Sequence, residues 1–246
     1  MLICAPTGAG KTNIATLTMI GAINRVDNPA EVRIVYISPM KALASELVSK
    51  FSVKFPHLKT RESTGDIQLS QRELAVTNIL VTTPEKFDVT TRKGGSAMEG
   101  LHLLIIDEVH LLNDERGWVL ESIVARLFRT SERTQRRVRV VGLSATLPNY
   151  LDVADFLRVP RETGLFHFDA SFRPVPLLIH FIGIKNPKDT NNNISRKTNQ
   201  REIYNSKCYD IVLSHLRTGK QVLVFVHSRR ETVKYCEFVL ERAKRL

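Results

Sequence analysis

Two short stretches of this sequence put phosphate chemistry within reach. The first is Ala5, Pro6, Thr7, Gly8, Ala9, Gly10, Lys11 and Thr12, set between an apolar run and a stretch with helical patterning. Small residues let a chain turn tightly enough for its N–H groups to wrap phosphate oxygens, and a helix opening there adds partial positive charge. Lys11 is placed to reach the β- and γ-phosphates of ATP, and the Thr12 hydroxyl to ligate magnesium (Mg2+). The general pattern begins with Gly, and here Ala5 replaces it.

The second stretch is Asp107-Glu108-Val109-His110, which follows the most apolar run of the chain. A carboxylate at the C-terminal tip of a strand beside a phosphate loop suits a magnesium site, because ligands bind off those strand ends. Asp107 is expected to hold the metal, usually through water, and Glu108 to orient and deprotonate an attacking water, with His110 completing the catalytic set. Ser144-Ala145-Thr146 follows the next strand. Its small and hydroxylated side chains can hydrogen-bond both to the carboxylates and to a neighbouring domain.

These groups need a scaffold, and the sequence offers one. Apolar, β-branched runs at Met1–Cys4, Arg33–Ser38, Asn78–Thr82, Leu101–Asp107 and Val138–Leu143 read as strands. Helical patterns at Lys11–Ile23, Leu43–Phe51, Glu115–Thr130 and Leu151–Leu157 alternate with them. Alternation of this kind predicts β-α-β units and an α/β fold with a parallel sheet. Leu101–Asp107 is almost entirely apolar, as a strand covered on both faces must be. Near Leu165 the pattern changes, and Asp169-Ala-Ser-Phe-Arg-Pro-Val-Pro reads as an interdomain linker, since its two prolines break helix and ladder alike. An exposed loop is expected over Lys185–Glu202, then a helix near Ile203–Arg217, a strand at Gln221–His227 and a last helix from Arg230. The expected division is residues 1–166, a linker at 167–178, and 179–246.

With 43% hydrophobic and 25% charged residues, the chain has the balance of a folded protein with a sizeable core. Its apolar runs are too short to span a bilayer, so no membrane is expected as a partner. Three widely spaced cysteines, Cys4, Cys208 and Cys236, form neither a disulfide framework nor a zinc pattern. The net charge of +11 favours a polyanionic partner. The arginines at 126, 129, 133, 136, 137 and 139 could form a nucleic-acid patch. The favoured reading is cation placement at a helix C-terminus and a solvated face.

The run of motifs resembles the Ski2-like group of superfamily 2 helicases. The resemblance rests on 107–117 (DEVHLLNDERG), 142–150 (GLSATLPNY) and 171–177 (SFRPVPL), and it extends over essentially the whole chain. It implies a RecA-like P-loop NTPase domain followed by the start of a second one. It also implies ATP hydrolysis coupled to unwinding of RNA or DNA that carries a single-stranded tail, and membership of a larger nuclear complex, with the nucleus, and also the cytoplasm, as its location. By the same resemblance Pro39, Met40 and Lys41, Thr64 and Gly65 (with Asp66), and Thr83, Pro84, Glu85 and Lys86 contact the nucleic-acid backbone. Thr83 and Pro84 open an expected helix whose free N–H groups can take a phosphate. His227, in the run Phe225-Val226-His227-Ser228, resembles a contact from the second domain. Three positions depart from the group's pattern: Phe87 where Trp is usual, Trp118 where Pro is usual, and Asn113 where His is common. Trp118 falls where the helix after Gly117 starts, and so bears on how that helix docks.

Relative to the group, the sequence starts close to the phosphate loop and stops after the second domain's first motif. The expectation is therefore a helicase fragment that binds Mg·ATP weakly and does not unwind, with no arginine finger to stabilise transition-state charge. An alternative of another class is a half-motor that binds ATP or nucleic acid without catalysis. A transporter-type ATPase is disfavoured, because no Leu-Ser-Gly-Gly-type signature is present.

Overall fold

The computed structural model describes residues 1–92, 98, 100–184 and 193–244, with backbone alone over 193–200. The chain forms two compact units, Met1–Leu177 and Leu178–Leu246.

Among the described residues of the first unit, seven strands build one sheet. They are β1 (Leu2–Cys4), β2 (Ile34–Ile37), β3 (Thr60–Ser63), β4 (Ile79–Thr82), β5 (Leu103–Ile106), β6 (Arg139–Ser144) and β7 (Leu165–His167). Their order is β3-β4-β2-β5-β6-β1-β7, and every neighbouring pair is parallel. The connecting helices are α1 (Lys11–Ile23), α2 (Lys41–Lys54), α3 (Gln71–Ala75), α4 (Pro84–Arg92), α5 (Gly117–Thr134), α6 (Tyr150–Phe156) and α7 (Arg161–Gly164).

Successive strand residues point to opposite faces, so a run that is apolar throughout feeds two cores. Leu104 and Ile106 of β5 join Leu2, Cys4, Val35 and Ile37 beneath α4, α5 and α6, where Phe87, Leu120, Ile123 and Val124 cover them. Leu103 and Ile105 join Ile3, Ile34, Tyr36 and Val81 beneath α1 and α2, where Met19, Leu47 and Phe51 cover them. The result is a three-layer α/β/α sandwich. No helix among the described residues is long and apolar enough to cross a membrane.

The five expected strands all appear, shifted by a residue or two at their ends. Strands β3 and β7 were not expected. They lie at the two outer positions of the sheet, where a strand has a neighbour on one side only and needs no apolar run.

In the second unit, α8 (Asn193–Arg217) and α9 (Arg229–Ala243) pack through Tyr209 and Phe238, edge to face at 6.5 Å. Two expectations here need correcting. The strand expected at Gln221–His227 is coil, with Phe225 86% and Leu223 77% exposed. A β-strand satisfies its backbone only through a neighbour, and no strand is present among the described residues of this unit. The expected loop at Lys185–Glu202 is helical from Asn193 onward, and its residues 185–192 lie outside the described ones.

Candidate functional site

All strands of the sheet run the same way, so every loop that follows a strand emerges on one edge. The expected nucleotide groups follow β5 (Asp107–His110), β6 (Ser144–Thr146) and β1 (Ala5–Thr12), three neighbours in the sheet. The expected backbone-contact groups follow β3 (Thr64–Gly65), β4 (Thr83–Lys86) and β2 (Pro39–Lys41), the three neighbours beside them. One sheet edge therefore carries both sets, with β2 and β5 adjoining where they meet.

The phosphate loop leaves β1 and turns on Gly8 (φ 87°) and Gly10 (φ 91°), left-handed conformations that glycine adopts without strain. The Ala5 N–H donates to the Ser144 carbonyl at 3.0 Å and ties the loop to β6. Gly10 caps α1 without a side chain, and the first turn of α1 holds no acidic residue, which leaves its N–H groups facing the loop. The Lys11 ammonium donates to the Ala5 carbonyl at 3.0 Å and to the Pro6 carbonyl at 3.4 Å. Pro174 lies over the loop: a Cβ added to Gly8 would meet its Cδ at 3.6 Å. Cys4, at the end of β1, is no candidate nucleophile, since burial pushes its thiol up to about 11 despite the nearby Lys11.

Both oxygens of Asp107 are engaged. Tyr36, fully buried in β2, donates its hydroxyl to Asp107 Oδ2 at 2.7 Å. The Glu108 N–H donates to Asp107 Oδ1 at 3.0 Å. Burial and the two neighbouring carboxylates push the Tyr36 phenol far up, so it stays a donor. Glu108 adopts φ 51°, ψ 50°, a conformation that costs a non-glycine residue roughly 1–3 kcal/mol. It opens the short 3-10 turn Val109–Asn113 and brings His110 back toward the site. His110 Nδ1 lies 3.4 Å from Glu108 Oε2 and 3.5 Å from Ser144 Oγ. Glu108 Oε2 is buried, and among the described residues no hydrogen bond reaches it. Thus Glu108, His110 and Ser144 bridge the tips of β5 and β6. Ala145 is half-buried and Thr146 exposed just beyond them.

On the other half of the edge, Lys41 opens α2 and pairs with Asp66 at 2.9 Å. Its stem packs against Gly65, where a Cβ would stand 3.1 Å from Cε. Pro39 is half-buried and Met40 is 61% exposed. Thr64, Thr83 and Pro84 are buried, whereas Glu85 is exposed and Lys86 half-buried at the start of α4. His227 belongs to the second unit, exposed just ahead of the Ser228 cap of α9.

Two features of this site escaped the sequence reading. One is Tyr36, although a hydroxyl carried into a fully buried strand must find a partner. The other is Asp88, buried in α4 between Arg126 (3.0 Å) and Arg92 (2.6 Å). Of the arginines weighed as a nucleic-acid patch, Arg126 is therefore turned inward. Trp118 does not disturb its helix: α5 begins at Gly117, and the indole is 59% exposed in the first turn.

The family described as DEAD/DEAH box helicase matches residues 1–153. The human activating signal cointegrator 1 complex subunit 3 is 52% identical over 99% of this chain, which spans 11% of that protein's length. The Arabidopsis thaliana DExH-box ATP-dependent RNA helicase DExH14 is 48% identical over 99% of this chain, again with 11% of its own length covered. Among solved structures, the DUF1998 helicase MrfA bound to DNA superposes with a TM-score of 0.56 at 23% identity. It covers 64% of this chain and 23% of its own, a likeness of fold.

Proposed function

Because the chain belongs to the DEAD/DEAH box helicase family, we propose that it forms the ATP-hydrolysing half of a motor that unwinds RNA or DNA. What supports this reading is that one sheet edge carries both expected sets in adjoining halves, the nucleotide groups after β5, β6 and β1 and the backbone-contact groups after β3, β4 and β2.

The family uses ATP and magnesium generally, and the residues present fit both. Lys11 and the open first turn of α1 take the phosphates. The Thr12 hydroxyl and the Asp107 carboxylate, which Tyr36 holds in place, would hold the metal. Magnesium, when bound, screens the phosphate charge. Glu108 stands at the tip of β5 beside Asp107, 3.4 Å from His110 Nδ1, where a general base would sit. It orients the attacking water and takes its proton, while His110 and Ser144 carry the change in charge toward Ala145 and Thr146 at the edge of the first domain. Pro39–Lys41, Thr64–Gly65 and Thr83–Lys86 hold the strand by its backbone without reading bases. Lys41 would exchange Asp66 for a phosphate, and His227 would add a contact from the second domain. We extend the proposal to domain limits of 1–166 and 179–246, a linker at 167–178, and service as a subunit of a larger nuclear complex, located in the nucleus and also the cytoplasm.

In the full-length protein, Glu108→Gln is expected to lower ATP turnover about 10²–10⁴-fold while nucleotide binding persists. Lys11→Ala is expected to lose binding as well. Steady-state hydrolysis and fluorescent-nucleotide titration measure the two. Turnover that survives Glu108→Gln would overturn the assignment and favour a binding module.

A further inference from the structure

Asp88 places a carboxylate, 4% exposed, in the seam between α4 and α5. Arg126, one-quarter exposed on α5, reaches it with Nη2 at 3.0 Å. The other arm of the same guanidinium, Nη1, donates to Thr91 Oγ1 at 2.5 Å. Thr91 is itself buried and donates back to the Asp88 carbonyl at 2.9 Å. One planar fork on α5 thus holds two residues, three positions apart, on one face of α4. At the opening of both helices, Arg116 just ahead of α5 approaches Glu85 in the first turn of α4 at 3.5 Å. Gly117 admits the chain so closely that a Cβ there would stand 1.9 Å from the Leu112 carbonyl oxygen.

Burying charges in a helix seam is an expensive way to gain stability. Well-packed apolar residues of similar volume often do as well or better. What a forked guanidinium supplies and an apolar pair does not is a fixed rotation and axial position of one helix against the other. The two helices so fixed are not arbitrary. α4 opens, just after Thr83, with Pro84, Glu85 and Lys86 on the backbone-contact half of the edge. α5 follows from Asp107–His110 on the nucleotide half.

We propose that Arg126, acting through Asp88 and Thr91, is a positioning residue that sets the first turn of α4 against the nucleic-acid backbone and ties that turn to the nucleotide site. It touches neither ligand. The inference rests on the reading of Thr83–Lys86 as a backbone contact.

The test uses the full-length protein and the dependence of its ATP turnover on single-stranded oligouridylate and oligothymidylate. Arg126→Lys keeps the charge but cannot span both Asp88 and Thr91. The half-saturating oligonucleotide concentration is expected to rise about tenfold, the scale of one lost charge-assisted phosphate contact. Turnover without oligonucleotide is expected to stay unchanged, while the loss of one buried hydrogen bond lowers the melting temperature by a few degrees. If Arg126→Lys does not fold, the neutral pair Asp88→Asn with Arg126→Gln takes its place with the same expectation. Lys86→Ala and Thr83→Val are the reference variants. If both leave half-saturation unchanged, the backbone reading of α4 fails. If they raise it and Arg126→Lys does not, the positioning role fails. A parallel fall in oligonucleotide-free turnover would also overturn it, because that marks a role in general stability alone.

Discussion

Tyr36 carries a hydroxyl into a strand otherwise made of Ile and Val, and the cost of burying it is met by one acceptor, Asp107 Oδ2. The ring packs at 5.6 Å against Phe51 and cannot swing away. Asp107 is thereby oriented before any metal arrives. Tyr36→Phe fills the same space and removes only the donor. The unsatisfied carboxylate oxygen is expected to cost about 1–3 kcal/mol of stability. It should also weaken magnesium-dependent ADP binding more than ADP binding in the presence of a chelator. Thermal unfolding and paired nucleotide titrations would show both effects. Unchanged magnesium dependence would mean that Asp107 orients itself.

At the scale of elements, the packing of the 3-10 turn against α5 leaves no room for a side chain at Gly117, which is buried. Gly117→Ala forces the Leu112 carbonyl or the helix start to move. It is expected to destabilise the chain by roughly 1–3 kcal/mol or more, measurable by urea unfolding, and to displace Glu108 and His110 upstream of it. What the sequence disclosed and concealed divides along the same lines. Ile34–Ile37 and Leu103–Ile106 were legible because a strand covered on both faces is apolar at every position. Thr60–Ser63 was not, since β3 flanks the sheet and can carry Arg61 and Glu62. Gln221–His227 has the composition of a strand, and composition says nothing about whether a partner strand lies beside it. The phosphate loop and Asp107–Glu108 announced themselves because their chemistry demands local spacing. The Asp88–Arg126 pair did not, because its partners lie 38 residues apart and meet only through the fold.

The stability of the first unit as a whole should depend on pH through His102. This imidazole sits where β5 enters the sheet and accepts the Arg33 N–H at Nδ1, 3.1 Å away, so it must be neutral there. Burial, with Arg33 and Arg136 nearby, lowers its affinity for a proton. An unfolded imidazole takes a proton near its ordinary value while the folded one resists. Below about pH 6.5 the unfolded chain therefore binds more protons, and stability falls as pH falls. His102→Gln can still accept the Arg33 N–H without titrating, and it should flatten that slope in thermal melts between acidic and neutral pH. An unaltered slope would shift the cause to another group.

The sequence contains one tryptophan, and the fold sets it in water on the first turn of α5, next in line to Arg116 and Gly117. The chain thus carries its own optical probe. All indole emission comes from the helix start that links the two halves of the sheet edge. Iodide should quench it freely, and anything that settles over that turn should change its colour and lifetime.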